Sequence, residues 1–400
     1  MLIPAAVALA ALAHVPATGA YRVGSDVVYV GVDGEPPNQP TIQYYDTSTR
    51  RLGALDYVSE DVYRTDEQPR LTFALSTPVA SVVEKPFVIN DRGGRLGASL
   101  WCAPRAKRRP TMVLIEGADD ADRRMGFLIP YFVAHGVNVV TYDQRGTGLS
   151  TGNWRYAGPE AKAEDTIALL RHVEGDPAVD PQRIGAWAAS NGGWVAPIVA
   201  TRFPLAFMIL KSTSSGTIED NVLYEIEQEL REKGKFTSAQ VQSALTFERM
   251  LFASLHTNAN WGAAADGLKV AQAQPWFPYM RIPPSMTLPP PSPMLDALRA
   301  SLIFDPLSTL ERVRTPTLAI FGALDRNVDA AGSAAGFHSA FERAGLRDLT
   351  IVTLPGGDHA LVGSASGYED APWEPVRFAR GYPETMIRWL AAHGFANTKI

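Results

Sequence analysis

From Thr111 onward the chain alternates apolar runs of strand length with segments of helical period, a rhythm few folds accommodate. The runs "TMVLIEG", "VNVVTYD", "RIGAWAAS" and "AFMILKST" are rich in β-forming residues, and between them lie 124–135, 159–174 and 191–203, each able to bury one stripe. Strands that are apolar throughout are buried on both faces, and parallel neighbours need a crossover about as long as a helix. The pattern therefore predicts an α/β fold of βαβ units, with a mostly parallel sheet covered on both sides. Pro159 suits the first turn of its helix, where no backbone donor is missed. The rhythm breaks near Gly216, resumes at "TPTLAIFG" and "LTIVTLPGG", and closes with the helix "YPETMIRWLAAHGF".

The interruption, 216–300, reads as an insertion over the sheet, a helical and proline-rich cap. Its first part, 218–256, predicts two amphipathic helices broken at Gly234, with Thr237 and Ser238 as N-cap candidates; "PWFPYMRIPPSMTLPPPSP" has too many prolines for a helix interior or a central strand. Upstream, 21–90 consists of short β-rich runs separated by Gly, Asn, Asp and Pro, which predicts a small antiparallel module. The hairpin "FVINDRGGRLGASLWCAP", turning on Asp91-Arg92-Gly93-Gly94, opens a main unit made of 91–215 and 301–400. Residues 1–20 are apolar and end in small residues, a candidate signal peptide cut after Ala13 or Ala20. A working leader implies export to the periplasm or medium; without one the chain stays in the cytoplasm. The leader lacks a positive n-region and is too short and interrupted for an integral membrane span.

Composition removes several function classes. A formal net charge of −5 and an even spread of charge give no basic footprint for nucleic acid. Cys102 is the single cysteine of the 400 residues, so neither an internal disulfide nor a thiolate cluster can be built. The acidic stretch "GADDADRR" lacks the register of a calcium loop, no His/Cys pair has zinc spacing, and "DQRGTGLSTG" lacks the Gly-Lys-Ser/Thr ending of a phosphate loop. No metal and no cofactor are expected.

The chemistry concentrates in three places. Ala188-Ala189-Ser190-Asn191-Gly192 is a small-x-Ser-x-small pattern between a predicted strand and a predicted helix. Such a turn holds a serine on a strained backbone, where the residues two before and two after must be small for the chains to approach. A serine hydroxyl needs a base, and the base needs a third group to hold its tautomer. Among seven histidines, His359 lies in "VTLPGGDHALV", a Gly-rich loop directly after a strand. His135 and His393 precede glycines at helix ends, where a cation suits the helix dipole, and His256 ends a cap helix and is kept as a second candidate base. Asp325 follows Gly322 at another strand end, with Asp329 nearby as a competitor.

Ser190, Asp325 and His359 occur in the chain order of the α/β-hydrolases, and "VVTYDQRGTGLSTG" resembles that family's Asp-x-Arg-Gly-x-Gly-x-Ser loop, through Asp143, Arg145, Gly146, Gly148 and Ser150. The resemblance covers roughly 95–400 apart from the insertion, and is nearest to the bacterial esterase and serine-aminopeptidase-like branch, whose members often carry an N-terminal β module and a helical cap. It implies Ser190 as nucleophile, His359 as general base and Asp325 as its orienting acid. It also implies an oxyanion hole from the N–H groups of Asn191 and Ala118. Where the family usually has His-Gly, this chain has Glu116-Gly117, followed by Asp119, Asp120 and Asp122; Arg123 and Arg124 are the nearest cations to offset them. The expected reaction is cleavage of a small-molecule carboxylic ester through an acyl-enzyme. A serine aminopeptidase acting on short peptides is the enzymatic alternative, and a non-catalytic binding protein is the alternative outside enzymes. Trp276, Phe277 and Tyr279 either line an acyl pocket or staple the cap.

Overall fold

The computed structural model describes residues 15–34, 40–105, 107–117, 120–283, 285–370 and 372–400. Two sheets organise them. The first is antiparallel and seven-stranded, ordered β6-β5-β4-β3-β2-β1-β7, from β1 (Gly19–Val23), β2 (Asp26–Asp33), β3 (Thr41–Asp46), β4 (Leu52–Ser59), β5 (Val62–Thr65), β6 (Thr72–Ala74) and β7 (Ala80–Ser81). Its period-two alternation sorts side chains to two cores: Val28, Val30 and Tyr44 pack within the module, whereas Tyr29 and Tyr45 point into the core beneath the second sheet. Ala20, one of the two candidate cleavage points, is buried in β1 and pairs with both Tyr29 and Ala80. A cut there would remove the first two residues of this strand.

The second sheet runs β15-β14-β13-β12-β10-β11-β9-β8. The hairpin β8 (Val83–Asp91) and β9 (Gly94–Cys102) adds antiparallel to β11 (Asn138–Tyr142). The strands β10 (Arg109–Ile115), β11, β12 (Val179–Ala189), β13 (Met208–Lys211), β14 (Thr317–Gly322) and β15 (Leu349–Leu354) are parallel. The hairpin's first strand thus begins at Val83, eight residues before the expected start of the main unit. β8 alternates half-buried and exposed side chains, as an edge strand does, so its sequence resembles the module before it.

Helices cover both faces. α1 (Leu128–Ala134) lies on one face, shorter than the expected 124–135; α2 (Pro159–Val173) and α3 (Gly192–Ala200) lie on the other. The insertion supplies α4 (Ile218–Gln228), a π-helical turn (Glu229–Lys233), α5 (Ser238–Thr257), α6 (Trp261–Gln272) and α7 (Ser292–Leu302), followed by the short α8 (Pro306–Leu310). Thr217 and Thr237 cap α4 and α5 with reciprocal capping boxes. α9 (Ala330–Arg343) and α10 (Tyr382–Ala392) complete the core. No helix among the described residues is long and apolar enough to cross a membrane.

Trp276 and Phe277 are a correction to the pocket reading. Both are buried in the cap's own cluster with Phe247, Leu251 and Leu268, and Tyr279 stacks edge-on against Phe236. They staple the cap, because apolar helix faces folded back on one another offer these rings more contact than an open cleft would.

Candidate active site

The parallel strands bring their carboxyl ends to one edge, and the three chemically distinctive residues stand there. Ser190 directly follows β12, Asp325 lies three residues past β14, and His359 lies in the loop after β15. Ser190 has φ +51°, a left-handed conformation that costs a non-glycine residue on the order of 1 kcal/mol. Packing enforces it: the Ser190 N–H donates to the Lys211 carbonyl at 2.9 Å, and the Gly193 N–H donates back to the Ser190 carbonyl at 3.0 Å. Small neighbours are required on both sides. Ala188 is fully buried, and a Cβ on Gly192 would overlap the Ile115 carbonyl oxygen and stand 2.6 Å from that of Glu116.

The Asn191 N–H has no acceptor among the described residues and sits at the start of α3, where unpaired donors and the helix dipole favour negative charge. Gly117 approaches from β10: a Cβ there would be 3.2 Å from the Ser190 Cβ and 3.7 Å from its Oγ. The second expected oxyanion donor, Ala118, lies outside the described residues, as does Asp119.

Asp325 is buried and fixed by three donors. Its Oδ1 accepts the N–H groups of Asn327 at 2.8 Å and Val328 at 2.9 Å, and its Oδ2 lies 2.9 Å from His359 Nδ1. A carboxylate only accepts, so Nδ1 carries the proton and Nε2 is left as the basic nitrogen. Asp329 does not compete: it is the N-cap of α9, accepting the Gly332 N–H at 3.0 Å. His256 is no rival base either, since it pairs with Glu219 on the outside of the cap at 3.2 Å. His135 is the C-cap of α1, its Nδ1 2.8 Å from the Tyr131 carbonyl; burial beside Tyr29 and Tyr131 pushes its pKa down and that carbonyl opposes the shift.

Arg123 is buried against Asp143 at 2.6 Å, Arg124 reaches Glu84 at 2.9 Å, and the Arg124 N–H donates to Asp122 Oδ1 in the acidic loop at 2.8 Å. Asp143 further accepts the N–H groups of Arg123 and Leu149, and its carbonyl accepts the Ser150 hydroxyl, so the Asp-x-Arg-Gly loop is a brace behind the site. The N-terminal sheet clamps the same region through Gly126 N–H to the Val32 carbonyl, 3.1 Å, and Phe127 N–H to Gln43 Oε1, 3.1 Å. Between sheet and loop lies a cavity of about 630 Å³, lined in part by Asp33, Glu116, Asp120, Asp122, Phe127 and Ala360. Burial, aided by Asp122, pushes the Asp33 carboxyl up to about 6.

Sequence reasoning missed the cap's share of the site. The Tyr224 hydroxyl of α4 donates to the Asp325 carbonyl at 3.3 Å, and Arg326 Nη1 donates to Gln228 Oε1 at 3.1 Å. The Tyr368 hydroxyl donates to the Gln228 carbonyl at 2.9 Å, so α4 is latched to both the acid loop and the loop beyond His359. Glu225, between these contacts, is within electrostatic reach of His359 and pairs with Arg281 at 2.5 Å; burial raises its pKa, and Arg281 and His359 oppose that. No local signal marks Glu225, one of several acids on an amphipathic helix.

Residues 58–360 match the family described as X-Pro dipeptidyl-peptidase (S15 family). An uncharacterised 31.7 kDa protein of Escherichia coli is 37% identical over 62 residues, 16% of this chain and 22% of that one. An acyltransferase of Aspergillus calidoustus is 30% identical over 117 residues, 29% of this chain and 37% of that one. The matches therefore span well under half the length of these curated relatives. Among solved structures, an esterase of Pyrococcus furiosus is 13% identical with a TM-score of 0.47, covering 78% of this chain and 91% of that one. A puromycin-hydrolysing peptidase of Mycobacterium tuberculosis is 15% identical with a TM-score of 0.47, covering 86% and 50%.

Proposed function

This chain belongs to the X-Pro dipeptidyl-peptidase (S15) family and is a hydrolase of the α/β-hydrolase fold, and from that premise we propose that it cleaves a carboxylic ester by nucleophilic catalysis. Ser190 attacks the carbonyl carbon while His359 Nε2 takes its proton. The imidazolium that forms is stabilised by Asp325 and then protonates the leaving alkoxide, giving an acyl-enzyme and free alcohol. Water, deprotonated by the same imidazole, hydrolyses the acyl-enzyme and returns the serine proton. The Asn191 N–H, with that of Ala118 as the expected second donor, faces the charge that develops on the carbonyl oxygen. The Asp325–His359 contact of 2.9 Å is the observation that carries this reading, because it assigns the proton to Nδ1 and frees Nε2 at the edge that holds Ser190.

A peptidase reading is favoured by a different observation, the carboxylates around the site. Glu225, within electrostatic reach of His359, and the acid-lined cavity beside Gly117 suit a substrate with a free amine. Turnover of p-nitrophenyl acyl esters against aminoacyl and dipeptidyl anilides separates the two. The ester reading expects ester turnover to exceed anilide turnover by about a hundredfold or more, and the reverse order selects the peptidase. A fluorophosphonate probe should label the wild type and not Ser190→Ala; equal labelling of both would reject the nucleophile, and no labelling of either would favour a binding protein.

A further inference from the structure

The turn that carries His359 is built around a second carboxylate that this mechanism does not use. Asp358 is fully buried. Its N–H donates to the Val362 carbonyl at 2.9 Å, the Val362 N–H donates to its Oδ1 at 2.9 Å, and the Leu361 N–H donates to its carbonyl at 3.1 Å. That carbonyl in turn lies against β14, where a Cβ on Gly322 would overlap it. One residue thus closes the histidine turn on itself and seats it on the strand that leads to Asp325. Its other oxygen, Oδ2, is buried with no partner among the described residues. An asparagine would close the same turn through its own Oδ1 without an ionisable group at the site, so turn geometry alone does not call for an acid.

We propose that Asp358 is a positioning residue for His359, acting both by fixing the turn and by carrying a second carboxylate in the residue next to the imidazole's own; this rests on the reading of His359 as the base. The groups that face it are Glu369 in the loop beyond the turn, Lys211 at the end of β13 and Asp325 after β14, while Glu225 of α4 faces the same imidazole. Burial, then Glu369 and Asp325, push the Asp358 carboxyl up to about 6 against the opposing Val362 N–H and Lys211 ammonium. Around that pH the residue passes from neutral to charged, in the range where an imidazole also titrates. A negative charge in the turn favours the imidazolium formed during attack on the substrate over the neutral imidazole of the resting enzyme.

The test is the rate of fluorophosphonate labelling between about pH 5 and pH 8 for wild type, Asp358→Asn and Ser190→Ala. Asparagine keeps the acceptor for the Val362 N–H and removes the charge. The expected result is Ser190-dependent labelling whose half-maximal pH in Asp358→Asn falls by about half a unit, making the variant about threefold faster than wild type on the acid limb. Superposed curves, or a loss equal at every pH, would overturn the role of Asp358 and leave the Ser190 reading intact. Labelling that survives Ser190→Ala would reject that reading and this proposal with it. Circular dichroism checks the fold, and if the asparagine variant is unfolded, Asp358→Ser, which keeps a hydroxyl acceptor for the turn, takes its place under the same criteria.

Discussion

Ser190 has φ +51°, wedged where a strand passes into a helix, whereas Thr237 in the cap has φ −66° and simply points its hydroxyl at the Gln240 N–H. The first conformation is imposed by chains packed on every side; the second is one the residue adopts readily at any helix start. The sheet edge spends packing to hold strained backbone and buried charge in place, and the cap is assembled from local helix signals and its own apolar cluster. The difference teaches that precision and stability are supplied by different parts of this molecule.

That contrast can be tested by substitutions of decreasing expected effect. Gly192→Ala should cost about 3 kcal/mol by shifting the denaturant midpoint, and should slow probe labelling as well, because its methyl collides with backbone carbonyls that cannot move independently of the serine turn. A near-neutral outcome would show that the edge is less rigid than its packing implies.

Glu248 is the cap's exception, a buried glutamate on α5 whose Oε2 has no partner among the described residues. Burial, with a contribution from Glu219, pushes it up to about 7 from an ordinary value of 4.5. A raised carboxyl binds its proton more tightly in the folded chain, so stability is fully present below the unfolded value, falls as pH rises toward the folded value, and stays low above it. Glu248→Gln should therefore stabilise the protein by about 2 kcal/mol at pH 8 and by little at pH 5, measured as thermal midpoints at the two pH values. An equal effect at both would assign the gain to packing. The smallest effect belongs to Thr237→Ala, which should remove about 1 kcal/mol and leave ester turnover unchanged. A change in turnover would mean that the start of α5 is coupled to the site.

The parts of this architecture that could be read from sequence share one property: their cause is local. The strand and helix alternation, the capping at Thr237 and the small residues around Ser190 are each written within a few positions. Asp325 and His359 were legible because strand ends are local features and parallel topology sends them to one edge. The β8 strand was less so, since an edge strand bound to a parallel sheet alternates like any antiparallel one. The helix Trp261–Gln272 is short of distinctive apolar spacing, being rich in alanine and glycine. Trp276 and Glu225 depend on where the cap folds back, one into its interior and the other within electrostatic reach of the histidine, and no spacing within the insertion encodes that choice. Asp358 was visible beside His359, but its burial and its unpaired oxygen arise from strands distant in sequence.

The order of these residues along the chain has a consequence for biosynthesis. A ribosome releases the serine turn at 190 while the acid, the histidine and the strands beneath them are still unmade, with the whole cap intervening. Roughly 170 residues separate Ser190 from His359, on the order of ten to thirty seconds of elongation. On the roles proposed above, Ser190 has no His359 to take its proton throughout that interval, so unfinished or prematurely terminated chains should be chemically silent, and reactivity should begin only with the last strand and the loop that follows it.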